Sequence, residues 1–174
     1  MTLRERILKE HSKANCQQII NWIGKSQQRF DKLVELFLHD EPIVVQRAGW
    51  PMSYVACSHP DMVQKHIGKL LRNLRKKNLP VAVKRNTVRL LQHVPVPVKF
   101  HGEMMNTCFE YIASPAEAAA IKAFSLTVLE NLSKQYPEIK QELKTIIKDR
   151  WDYETAAFKC RAKKLLREHL FLSY

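Results

Sequence analysis

Four segments of this chain repeat one pattern of residue types at intervals of 38, 38 and 37 residues: Val45–Gly49, Val83–Thr87, Ile121–Ser125 and Phe158–Ala162. Take the first residue of each segment as position 0. That position is always apolar (Val45, Val83, Ile121, Phe158), and position +1 is always polar (Gln46, Lys84, Lys122, Lys159). Position +4 is always small: Gly49, Thr87, Ser125 and Ala162, as needed where two helix backbones approach closely. Positions +7 and +8 are Leu90-Leu91, Val128-Leu129 and Leu165-Leu166, with Met52-Ser53 in the first, weaker copy. Residues at these four offsets share one side of a helix with 3.6 residues per turn. One amphipathic helix, called B, is therefore written four times. A unit of this size cannot bury its own apolar side, so copies at a fixed interval must stack.

A second amphipathic stretch, A, precedes each B. The first runs Phe30, Leu33-Val34 and Leu36-Phe37-Leu38; the second holds Met62-Val63, Ile67, Leu70-Leu71 and Leu74. The third carries Met104-Met105, Cys108-Phe109 and Ile112, and the fourth Ile139, Leu143 and Ile146-Ile147. Prolines punctuate the links, at Pro42, Pro60, Pro80, Pro95, Pro97, Pro115 and Pro137. Proline suits a first helical turn and disrupts an interior, so these residues mark helix starts. Pro51 falls inside the first B helix, where a kink is expected. The repeats then span 27–59, 60–97, 98–136 and 137–174 of a single domain. Residues 1–26 carry no full copy and read as two short helices, near 2–10 and 14–24, capping the apolar end of the stack.

Composition narrows the function classes. Only four glycines occur, too scattered for a phosphate-cradling loop, and no run of apolar residues is long enough to cross a membrane. The first residues, Met1-Thr2-Leu3-Arg4-Glu5-Arg6, lack the features of a secretory leader, so a cytoplasmic location is expected. Cys16, Cys57, Cys108 and Cys160 form no C-x-x-C pair and read as reduced helix residues. The seven histidines show no metal-ligand spacing; no metal, cofactor or catalytic motif is expected. The net charge of +12 is uneven, with residues 61–100 holding ten Lys and Arg against one acid, Asp61. Residues 101–142 are acidic by comparison. A polarised surface of this kind steers charged partners.

Helix pairs of this length, with proline between elements and a V-K/R start to helix B, resemble HEAT repeats over about residues 27–170. The resemblance implies an all-α, right-handed α-α superhelix, or solenoid, of the armadillo type, with about four hairpins and N-terminal capping helices. It also implies a non-catalytic scaffold whose B helices line a groove for another macromolecule. Tetratricopeptide arrays have a 34-residue period, which the spacing here does not fit.

On a helical wheel positions +2, +6 and +9 of helix B point away from the buried stripe. They are Arg47, Pro51 and Tyr54; Arg85, Arg89 and Gln92; Ala123, Thr127 and Glu130; and Cys160, Lys164 and Arg167. The candidate binding surface is Arg47, Trp50, Tyr54, Lys84, Arg85, Arg89, Lys164 and Arg167. Helix A of the second repeat adds Lys65, Lys69, Arg72, Arg75, Lys76 and Lys77. A solvated helix face is rich in such residues without any function. The functional alternatives are a protein partner with an acidic surface or a nucleic-acid backbone, the latter salt-dependent and largely sequence-independent. At fold level the second resembles the HEAT-like DNA glycosylases of alkylation repair, which use an acidic residue and aromatics in the groove. Trp50 and Tyr54 could supply aromatics, but no acidic residue can be assigned. Lys163 stands at +5, where other copies have Trp50, Val88 and Leu126, as expected of a final helix with nothing stacked beyond it.

Overall fold

Short polar side chains start the first helices. Thr2, Ser12 and Ser26 each accept a hydrogen bond from a backbone N–H three residues on, opening α1 (Leu3–Lys9), α2 (Lys13–Ile23) and α3 (Gln27–His39). Glu5 returns a bond to the Thr2 N–H and completes a capping box. Pro42 and Pro60 occupy the first turn of α4 (Pro42–Ser58) and α5 (Pro60–Val63), where a missing N–H costs nothing. A 3-10 turn at Gln64–His66 joins α5 to α6 (Ile67–Leu74), and Pro80 immediately precedes α7 (Val81–Leu91). Asn78 takes the left-handed conformation (φ 57°) in the link between them, which asparagine tolerates. The computed structural model describes residues 1–170; the remaining helices are α8 (His101–Ala113), α9 (Ala119–Ser133), α10 (Ile139–Arg150) and α11 (Ala156–Leu170). No strand occurs among the described residues, and no described helix is long and apolar enough to cross a membrane.

The chain forms two compact units, Met1–Pro97 and Val98–Tyr174. In the first, α4 is central and packs against α1, α2, α3 and α7. The capping helices α1 and α2 pair with each other, and α2 lies along α4. They form a shortened hairpin of their own. Polar latches hold it: Asn15 Nδ2 donates to the carbonyls of Arg6 and Glu10, both at 2.8 Å. Arg4 reaches Asp40 at 3.1 Å and Glu41 at 2.8 Å in the link between α3 and α4. The second A helix of the expected pattern is broken into α5, a 3-10 turn and α6. At the break His66 is buried, its ring edge-on to Phe30 and its Nε2 2.6 Å from Asp31 Oδ1.

In the second unit α8 pairs with α9, α11 packs along α9, and α10 lies on α8 and α9. A charged cluster joins the turn after α10 to α9. Lys122 Nζ, only 2% exposed, donates to Glu154 Oε1 at 2.6 Å. The same oxygen accepts from Arg150 Nε and Nη2 at 3.0 and 2.9 Å.

The repeat columns hold in space. Position 0 (Val45, Val83, Ile121, Phe158) is buried in every copy, and so are Gly49, Thr87, Ser125 and Ala162 at +4. Gly49 is small because Asn86 of the next B helix leaves no room: a Cβ there would lie 2.2 Å from Asn86 Nδ2. α4 runs continuously through Pro51. Position +1, polar in every copy, is fully exposed only in the first, and Lys122 at that column is buried. One expectation needs correction. Positions +2, +6 and +9 do not all face outward, since Pro51, Gln92, Ala123 and Glu130 are buried. α4 has neighbours on three sides, which narrows its open arc and encloses Pro51. α7 stops at Leu91, so Gln92 caps it and turns back to donate to the Arg89 carbonyl. Ala123 has only a methyl group, too short to emerge. Glu130 is overlain by α11, whose Lys164 lies 3.8 Å away.

Candidate functional site

In the first unit two helical stripes face a common depression. On α4, Tyr54 and Cys57 lie one turn apart; on α7, Arg85 and Arg89 lie one turn apart, about 6 Å along the helix, and His93 follows in the turn beyond its end. Tyr54 is 45% exposed, and the Arg89 guanidinium sits over its ring, 5.5 Å from the centroid. Such a contact holds the cation in place without neutralising its charge. Ser53, Tyr54, Cys57, Arg89 and His93 line a shallow cavity of ≈ 480 Å³ that is open to solvent. Ser53 is 2% exposed, and its Oγ is a buried hydroxyl with no hydrogen-bond partner.

Of the residues expected on this surface, the structure brings together Tyr54 and Arg89, with Arg85 exposed one turn away. It withdraws two others. Arg47 is half-buried and donates through Nη1 to the Leu8 carbonyl at 3.0 Å, and Trp50 packs against His11 with ring centroids 5.5 Å apart. Both serve the capping hairpin. Lys84 is half-buried and does not line the cavity. Sequence reasoning missed Ser53, Cys57 and His93. Cys57 and His93 are the next turns of the two stripes and were within reach of the same helical count. Ser53 sits in a buried column and gave no signal.

The bases on the A side are partly committed. Lys65 pairs with Asp31 at 2.6 Å and Lys69 with Glu35 at 2.9 Å. Partial burial acts to raise the Asp31 pKa, but hydrogen bonds from Lys65, Gln27 and His66 outweigh it and hold the carboxyl at about 2. In the second unit Lys164 and Arg167, with Lys159, Cys160 and Lys163, line an open depression of ≈ 690 Å³ on α11 alone.

The thiols are poor nucleophiles. Burial raises the Cys57 pKa, with Arg89 opposing it, and lifts Cys16 to about 11 and Cys108 to about 12. No group of three or more His, Cys, Asp or Glu placed to hold a metal ion occurs among the described residues.

No curated protein matches the chain, and no solved structure does. A family model described as HEAT repeat domain matches residues 3–169. That match takes in the capping hairpin as well as the four B helices, and with the repeat columns buried as the pattern requires, this chain belongs to the HEAT repeat domain family.

Proposed function

We propose that this protein is a non-catalytic scaffold that holds an acidic protein partner on the B-helix face of its first unit. One observation carries the reading: Arg85 and Arg89 project from that face, and no described acidic side chain pairs with either. The first unit carries 17 Lys and Arg against 7 Asp and Glu, so its field favours acidic surfaces over a distance of about 10 Å at moderate salt. A nucleic-acid backbone is favoured less. Affinity for a nucleic-acid backbone is built from many neutralised phosphates, on the order of six to ten in a typical complex, and this face presents two arginines.

Affinity capture from the native host tests the proposal, with the Arg85→Glu/Arg89→Glu protein as the control. A stoichiometric, acid-rich protein returned by the natural chain and lost by the variant is the expected result. Equal capture by both proteins would overturn it. Salt-dependent mobility shift on mixed DNA and RNA supplies the competing outcome: a shift abolished by the same variant would move the reading to nucleic acid.

A further inference from the structure

We infer that the depression between α4 and α7 is a receptor for one carboxylate side chain, an Asp or Glu of the partner, bound by the Arg89 guanidinium and the Ser53 hydroxyl. This rests on the proposed function and names the chemistry of its anchor.

Three observations converge there. Ser53 Oγ is a buried hydroxyl of a residue that lines the depression, and it has no partner among the described residues. Buried hydroxyls nearly always find one, and this donor is left for something outside the chain. Arg89 is half-buried without an acidic partner, a state whose desolvation only an incoming anion would offset. The Tyr54 ring lies 5.5 Å from the centre of that cation, holding it beside the depression without neutralising its charge.

The donor set selects the anion. A guanidinium fork matches the two oxygens of a carboxylate, and a single hydroxyl supplies one further bond. A phosphate offers three oxygens and more charge, which calls for further cations inside the depression; Arg85 stands outside it. Cys57 and His93 complete the wall.

The depression on α11 is the built-in control. It is more basic, with three lysines and an arginine, but its described lining comes from one helix and includes no buried hydroxyl. NMR titration of the full chain with an acetyl-capped Glu-containing peptide, and with its Gln isostere, decides the matter. Shifts should concentrate on the Arg89 Nε–H and the Ser53 amide, and the Gln peptide should produce almost none. Ser53→Ala should weaken the peptide about threefold and Arg89→Lys about tenfold, since lysine keeps the charge but loses the fork. Equal shifts at Lys164 and Arg167, or unchanged binding in both variants, would overturn the inference and leave a diffuse basic face. If Arg85→Glu/Arg89→Glu also leaves binding unchanged, the proposed function falls with it. Tighter binding of oligodeoxythymidylate than of the Glu peptide would overturn both.

Discussion

The two units use the same repeat columns for opposite ends. Residues 1–97 hold 17 bases and 7 acids, whereas residues 98–174 hold 12 and 10. In the second unit several basic side chains on the B helices find partners within the unit. Lys122 at +1 is buried against Glu154, Lys164 at +6 lies 3.8 Å from Glu130, and Arg161 at +3 bonds Thr127 and covers Phe124. In the first unit no described acidic side chain pairs with Arg85 at +2 or Arg89 at +6. A repeat fixes where a charged side chain emerges. Whether that charge becomes architecture or surface depends on what the next element supplies opposite it.

The sharpest break of this contrast is in the buried cluster. Glu154→Gln should cost about 3–5 kcal/mol, because it leaves Lys122 and the largely buried Arg150 without their shared anion. Chemical denaturation measures it. A cost below about 1 kcal/mol would mean that Lys122 escapes to solvent, and the claim that the second unit internalises its charges would fail. Core truncations come next: Leu91→Ala and Leu129→Ala should each cost about 2–5 kcal/mol, one in each unit, since both occupy the buried +8 column. A midpoint shift no larger than that of a surface control would show that the column does not mean the same thing in both units.

The hairpins were legible in the sequence because their burial recurs every helical turn, and short-range spacing records it. Columns 0 and +4 are buried in all four copies for that reason. The break between α5 and α6 was not legible, since it turns on His66 meeting Asp31, 35 residues earlier. Lys122 looked like its solvated counterparts because Glu154 lies 32 residues away. At the candidate site, Tyr54, Arg85 and Arg89 fall on the stripe that the helical count marks out, while the capping hairpin, which that count does not register, claims Arg47 and Trp50. Ser53 could not be singled out: a serine in a core column becomes notable only once its missing partner is seen.

Close packing separates the units more gently. Gly49→Ala should cost about 1–3 kcal/mol by overpacking against Asn86, outweighing the roughly 1 kcal/mol that alanine gains in helix propensity. The matching column of the second unit already carries Ser125, so no such penalty is built in there. Adding Asn86→Gly should recover much of the loss; failure to do so would place the strain elsewhere. Acid titration probes the first unit's A side. Asp31, with a folded pKa of about 2 against an ordinary value near 3.9, contributes stability that is complete above about pH 4 and fades as pH falls towards 2. Asp31→Asn should flatten that part of the acid limb, and an unchanged limb would show that the Lys65 and His66 contacts do not persist in solution.

The smallest expected effect is the most informative about function. Arg85→Gln should change stability by no more than about 0.5 kcal/mol, because the side chain is exposed and pairs with no acid. Its sign should be neutral or slightly stabilising, since one like charge leaves a crowded basic unit. Lys164→Gln in the second unit removes a half-exposed contact with Glu130 and should be slightly destabilising instead. Thermal unfolding at low and moderate salt separates the two, because screening should shrink both differences towards zero. If Arg85→Gln is as harmful as a core truncation, that arginine belongs to the architecture, and the basic face of the first unit is no more available to a partner than that of the second.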